Sequence, residues 1–329
     1  MSNSNYMFKP KTHVHVLRMV VICGLIAFAL LTGCSSGSPT APTARIDHLK
    51  YFGFSLVDVG WDDPLDTVAT SNYSDEVAAF SNIADILVVN PTDNIVPRMQ
   101  LFADQGLKTV LHVNEIFFAY AGSGGPSGAL YDLRADHKAR WNDFVSTNQL
   151  TVHHATVQAF YVGEEPTWNS ITYGELKTAT DLIKATVPQV PVLVIEAHTM
   201  VDSIQVPTSV DWLGFNHYFI PDPQHSAQFL GELAALKSKR STAAQKIVLV
   251  MDTHYIKEVH GGDAGLTETG MKEVATSYFN LAASDPDVVA LIGYVWPGGF
   301  DTPNAKGARE LPQRVRDEYE RIGKLITGK

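Results

Sequence analysis

Cysteine is nearly missing from this chain: among 329 residues only Cys23 and Cys34 carry a thiol. Everything after Cys34 therefore folds without a disulfide, a thiolate nucleophile or a cysteine metal site. Apolar runs long enough for a bilayer are missing too. The apolar stretch 19–31 has 13 residues, whereas a spanning helix needs roughly 20. Basic residues are outnumbered, 25 Lys and Arg against 35 Asp and Glu, for a net charge of −10. That balance argues against a nucleic-acid partner, which needs a basic surface, and does not favour an anionic lipid face. Two glycine-rich stretches, AGSGGPSG (121–128) and HGGDAG (260–265), lack the lysine and hydroxyl spacing of a phosphate-binding loop. They read as mobile loops at the rim of a cleft. No HExxH metal signature occurs.

The amino-terminal segment reads as an export signal. Lys9, Lys11 and Arg18 precede the apolar stretch, and Leu31, Thr32, Gly33 and Cys34 close it. These four residues resemble the lipobox of bacterial lipoproteins. The resemblance implies a signal peptide over 1–33 and a lipid on Cys34, the first residue of the mature chain. It also implies an anchored protein in the cell envelope. Ser35 after the cysteine points to the outer membrane. Residues 34–45, rich in Ser, Thr, Pro and Gly, read as a flexible tether. Removing 1–33 takes away three basic residues and no acidic one, so 22 basic residues face 35 acidic ones. Residues 46–329 suffice for one large core, with no second linker, and read as one domain.

Eight short apolar runs cross that domain, at 51–57, 86–89, 108–113, 157–162, 191–195, 210–215, 246–251 and 288–295. Near-continuous apolarity is how a parallel strand reads when both faces are covered. Helical patterns fall between them, at 74–83, 94–105, 136–148, 172–186, 227–239, 267–283 and 312–326. Thr172 with Glu175 three residues on has capping-box spacing. Only 197–209 is too short for a crossover helix. No glycine-rich turn follows the first run, as an open dinucleotide-binding sheet would show. The fold expected is an α/β, (β/α)8 TIM barrel.

Active residues in such a barrel sit at the C-terminal strand ends. The candidates there are Trp61, Asn90, His112, Glu115, Glu164, Glu165, Glu196, His217, Tyr218, Asp252 and Trp296. Aromatic rings beside carboxylates suit a sugar site, where rings cover apolar sugar faces and acids protonate the leaving oxygen.

Three segments carry a family resemblance. FYVGEEPTW (160–168) resembles the Asn-Glu-Pro segment of the cellulase-like clan of retaining (β/α)8 glycoside hydrolases. VDWLGFNHY (210–218) and VALIGYVW (289–296) resemble that clan's sixth and eighth strands. The resemblance implies that Glu165 is the acid/base, with Glu164 replacing the asparagine. It implies a sugar-positioning rim at His217 and Tyr218, and Trp296 as subsite floor. The alternative reading of Trp296 is a core residue capping the barrel. The clan's seventh strand ends in a nucleophilic glutamate. Here KIVLVMDTH (246–254) offers Asp252, with Glu196 and Glu115 as rival second carboxylates. The expected substrate is an oligo- or polysaccharide, with no cofactor. The rival classes are a non-catalytic carbohydrate-binding lipoprotein and a metal hydrolase using His198, His217, His254 and Asp252.

Overall fold

The computed structural model describes residues 46–329, which contain ten strands. They are β1 (Tyr51–Phe54), β2 (Ile83–Leu87), β3 (Lys108–His112), β4 (Phe118–Gly124), β5 (Gly128–Leu133), β6 (Val157–Glu164), β7 (Val192–Ala197), β8 (Trp212–Asn216), β9 (Lys246–Asp252) and β10 (Val288–Tyr294). Eight of them pair in parallel in the order β1-β10-β9-β8-β7-β6-β3-β2. The two ends of that order face each other, so the sheet curls into the expected (β/α)8 barrel. The signal peptide, Cys34 and the tether lie outside the described residues. No helix among the described residues is long and apolar enough to cross a membrane.

Alternation sorts the strand side chains. Ile83, Val110, Ala159, Leu193, Trp212, Val248 and Ala290 form an inner cluster with Tyr51 packed against it, so every barrel strand contributes. The opposite faces carry Phe54, Phe160 and Leu249 into the larger cluster under the helices. Helix Tyr173–Thr186 shows the logic of that layer. Thr172 Oγ1 accepts the Glu175 N–H and Glu175 Oε2 accepts the Thr172 N–H, completing the capping box. Leu176, Ala179 and Ile183 then face the strands. The box stabilises the helix by about 1 kcal/mol.

Closure between β1 and β2 uses few ladder bonds. The Asn82 N–H donates to the Phe52 carbonyl at 3.0 Å, and the Leu87 N–H to the Asp58 carbonyl at 3.3 Å. Side chains supply the rest. Asn82 Oδ1 accepts the Phe52 N–H at 3.0 Å, and the Asp85 carboxylate accepts the Leu56 and Val57 N–H groups at 2.9 and 2.8 Å. These bonds draw residues 82–87 into the sheet. They explain why β2 starts at Ile83 rather than at 86, and why the helix expected over 74–83 is only Ser74–Val77. The helix expected over 267–283 is likewise shorter, Met271–Ser284 after a 3-10 turn at Glu268–Gly270.

A second difference is the antiparallel hairpin of β4 and β5. It includes the glycine-rich stretch expected to be a loop. Apart from buried Phe118 its residues are only partly buried or exposed, and glycines interrupt its apolar residues, so no core run marks it.

Gly53 faces the seam. A Cβ there would sit 2.1 Å from the Ile83 carbonyl oxygen. Gly53→Ala must therefore push β1 from β2, and should lower the unfolding free energy by about 1–3 kcal/mol. Urea denaturation reads this as a lower midpoint at unchanged slope. A wild-type midpoint would refute the tight-seam account.

Candidate active site

β6 ends irregularly. Its pairing with β7 shifts register between Tyr161 and Glu164, Gly163 has φ +83°, and Glu165 has φ +46°. In a regular strand Glu164 and Glu165 would point to opposite faces. Here the alternation is broken, and both carboxylates meet side chains from other strand ends. Glu164 Oε2 lies 3.3 Å from His112 Nε2, at the end of β3. Glu165 Oε1 accepts a 2.8 Å hydrogen bond from Asn216 Nδ2, at the end of β8. A left-handed non-glycine residue costs about 1–3 kcal/mol. Two backbone bonds hold it: the Glu165 N–H to the Ile195 carbonyl, 2.7 Å, and the Asn169 N–H to the Glu165 carbonyl, 2.8 Å.

Burial pushes the Glu165 carboxyl up. The Asn216 bond opposes this, and the charges of Glu164, Glu196 and Asp301 add to it, leaving Glu165 at about 7. Burial would also discharge His112 and Glu164, but the pair outweighs it. His112 is raised and Glu164 lowered, so both favour their charged forms. The ring of Tyr161 stacks on His112 at 4.4 Å.

Across the mouth, Tyr218 and Tyr294 stack at 5.1 Å. The Tyr294 hydroxyl donates to Asp301 Oδ1 at 2.9 Å. Trp61 donates from Nε1 to the Gly298 carbonyl at 3.0 Å and meets Phe300 edge-on. Sequence reasoning missed Tyr161, Tyr294, Asp301 and the Glu165–Asn216 bond. Strict alternation from Ala159 and Ile292 would have marked both tyrosines as inward. Asp301 lies in an irregular loop, where no periodicity could mark it.

The structure redirects several expectations. Asp252, expected as nucleophile, has a fully buried side chain. Its Oδ2 accepts the Phe219 N–H at 2.8 Å and lies 3.1 Å from His260 Nε2, and its Oδ1 lies 3.1 Å from His254 Nδ1. Burial alone would raise its pKa, but the two histidines hold it far below the usual carboxylate range. With no exposed surface it cannot meet a sugar directly.

Glu196 is also fully buried. Its oxygens accept the Thr167, Trp168 and Ala197 N–H groups at 2.8, 3.3 and 2.9 Å. It ties down the loop after β6 instead of touching substrate. Trp296 is buried against Phe54 and Phe80, with Nε1 donating to Glu76 Oε2 at 2.7 Å. It therefore belongs to the layer under the helices and is no subsite floor. His217 is buried too, bonded through Nδ1 to Glu232 and stacked on His198 at 3.8 Å. Its surroundings are helix Ala227–Ser238 and a 3-10 turn.

Asn90 is exposed in a turn, where its N–H donates to Asp93 Oδ2. Glu115 lies 3.5 Å from Arg134 Nη2, at the foot of the hairpin. Burial raises its pKa despite Arg134.

Among the described residues, two groups present three ligand-type atoms within 4.8 Å of one another: His198, His217 and Glu232, and Asp252, His254 and His260. The four residues expected of a metal hydrolase are thus divided between two clusters. The first has rings stacked at 5°, so their in-plane lone pairs run side by side and do not converge on one ion. In the second, His260 Nδ1 accepts the Ile256 N–H at 2.9 Å. Nε2 then carries hydrogen towards Asp252, which suits a hydrogen bond and not a metal.

No family model matches the chain, and no curated protein matches it. Solved structures do. A glucosidase from Croceicoccus marinus superposes with a TM-score of 0.56 at 13% identity, covering 84% of this chain and 68% of that one. A β-mannanase from Alicyclobacillus acidocaldarius gives 0.53 at 13%, covering 86% and 100%. Xylanase 10B from Thermotoga maritima gives 0.51 at 13%, covering 85% and 98%. The chain shares the (β/α)8 fold of these enzymes.

Glu196→Ala should leave the Thr167 and Trp168 N–H groups without their acceptor. Amide exchange at those two positions should accelerate while exchange in β8 and β9 stays slow. Unchanged exchange there would contradict the loop-tying role.

Proposed function

We propose that this chain is a glycoside hydrolase that cleaves an oligo- or polysaccharide by carboxylate chemistry, with retention at the anomeric carbon. The observation that carries the reading is Glu165: a strained, largely buried carboxyl at the fourth barrel strand's mouth, bonded to Asn216 and raised to about 7. A glycosidic oxygen is a poor leaving group and needs a proton as its bond breaks. A carboxyl still half protonated near neutrality can give that proton and take one back from water. Tyr161, Tyr218 and Tyr294 at the mouth offer ring faces to a sugar, as do Trp61 and the rim around it. The glucosidase, mannanase and xylanase sharing the fold agree in kind with this substrate class.

Glu165→Gln should lower kcat on an unactivated oligosaccharide by about 10²–10⁴-fold, and much less on an aryl glycoside with a good leaving group. The acid is required protonated, so wild-type activity should fall as pH rises through about 7. That alkaline limb should vanish in the variant. Equal losses on both substrate types would remove Glu165 from the acid/base role. Asp252's burial favours one other reading, a carbohydrate-binding protein without turnover. Glycan binding with no hydrolysis across a broad panel would select it.

The same proposal places the protein in the cell envelope on a lipid at Cys34, supported by the Leu31–Cys34 lipobox resemblance and the tether. Cys34→Ala should move the protein from the membrane to the soluble fraction. Membrane retention by that variant would end the anchoring idea.

A further inference from the structure

A two-carboxylate mechanism needs a partner for Glu165, and Asp252 is closed off. Among the other mouth carboxylates, Glu164 is 43% exposed but is held by His112 Nε2 at 3.3 Å. Glu196 is consumed by backbone N–H groups, and Glu115 is drawn to Arg134. Asp301 combines exposure with the lack of a close cationic partner: its side chain is 36% exposed, where that of Asp252 is 0%, and among the described residues no histidine nitrogen comes closer than the 3.6 Å of His254. Its Oδ1 accepts the Tyr294 hydroxyl at 2.9 Å, and its Oδ2 lies 3.6 Å from His254 Nε2. The other nitrogen of that ring, Nδ1, lies 3.1 Å from Asp252 Oδ1. His254 therefore bridges a sealed carboxylate to an open one.

The geometry points to Asp301 as the catalytic nucleophile opposite Glu165, with His254 and the buried Asp252 as residues that position it. This rests on the glycoside hydrolase reading and names that site's second carboxylate.

The surroundings fit the assignment. Asp301 stands beside the stacked Tyr218 and Tyr294 rings. Its loop is anchored to the first barrel strand's loop. Asp63 Oδ2 accepts the Gly298 N–H at 2.8 Å, Trp61 donates to the Gly298 carbonyl, and Arg309 pairs with Asp63, Asp66 and Glu76. Asp301 also acts on Glu165 itself: after burial and the Asn216 bond, its charge is among the three carboxylates that raise the acid. His254 favours its charged form because Asp252, and less strongly Asp301, outweigh its burial. Asp252 on one side and Asp301 on the other both favour the charged ring, which attracts the Asp301 carboxylate towards Nε2. Asp252 thus keeps a role at the site without touching sugar.

The step balances. An Asp301 oxygen attacks the anomeric carbon, the bond to the leaving oxygen breaks, and that oxygen takes its electron pair and the proton of Glu165. Water then attacks the same carbon. Glu165 takes a proton from it, the ester bond to Asp301 breaks, and Asp301 recovers its charge.

The test uses the full chain and a panel of 2,4-dinitrophenyl mono- and disaccharide glycosides, with 2-deoxy-2-fluoro analogues of those that are cleaved. The fluoro analogue should leave a glycosyl ester on the peptide carrying Asp301, seen by mass spectrometry. Asp301→Ala should lose about a thousandfold in kcat at an unchanged melting temperature. Azide should restore turnover and yield a glycosyl azide. Asp252→Asn should lower kcat with KM nearly unchanged, and azide should not restore it. An ester on any other residue, a near-wild-type Asp301→Ala, or a loss that azide does not repair would overturn the nucleophile while leaving the enzyme reading intact. A wild-type chain that cleaves none of the panel overturns the enzyme reading, and this assignment with it.

Discussion

Closing eight parallel strands into a barrel requires β1 and β2 to meet, and here they meet through side chains as much as through backbone. Asp85 and Asn82 accept N–H groups that a regular ladder would have used, and Gly53 leaves room for the Ile83 carbonyl. A buried acceptor for a buried N–H is worth more than its net bond energy, because leaving the group unmade costs about 1–3 kcal/mol. Burial raises Asp85 to about 6 despite its two backbone bonds, and the nearby His112 pulls the other way. His112 in turn pairs with Glu164. The closure seam and the candidate active site therefore share one electrostatic chain.

The mouth that results is crowded with carboxylates, and their environments separate them into roles. Asp252 is sealed and held charged by two histidines; Glu165 is largely buried, lacks a cationic partner and rises to about 7. Asp301 remains partly open to solvent. Burial, a broken strand alternation at Gly163 and Glu165, and histidine placement push the protonation of Glu165 and Asp252 in opposite directions.

Much of the architecture was legible in the residues. Near-continuous apolar runs such as 246–251 read as strands covered on both sides, and eight of them alternating with amphipathic segments leave few topologies. The capping box at Thr172 was readable because its bonds are local. The hairpin of β4 and β5 was not, because its apolar residues are broken up by glycines and mostly half-exposed, so no continuous buried run marks it. Glu165 stood out through the resemblance of its Gly-Glu-Glu-Pro segment, and the strand ends are where the structure gathers polar side chains. The roles of Asp252, Glu196 and Trp296 were not readable. A residue's position along a strand says nothing about which backbone N–H, histidine or carboxylate arrives from elsewhere in the chain.

By itself the sequence determined the parallel (β/α)8 class, the absence of cysteine chemistry from the folded region, and the ring of polar residues at the strand ends. These follow from composition and periodicity, which act over a few neighbouring residues. Only the tertiary structure decided which carboxylates stay open. Asp252 is closed by Phe219 and His260 and Glu196 by the loop after β6, while Asp301 is brought to the mouth by a loop anchored near Trp61. Burial and charge pairing depend on contacts between residues far apart in the chain, and those exist only once the barrel has closed.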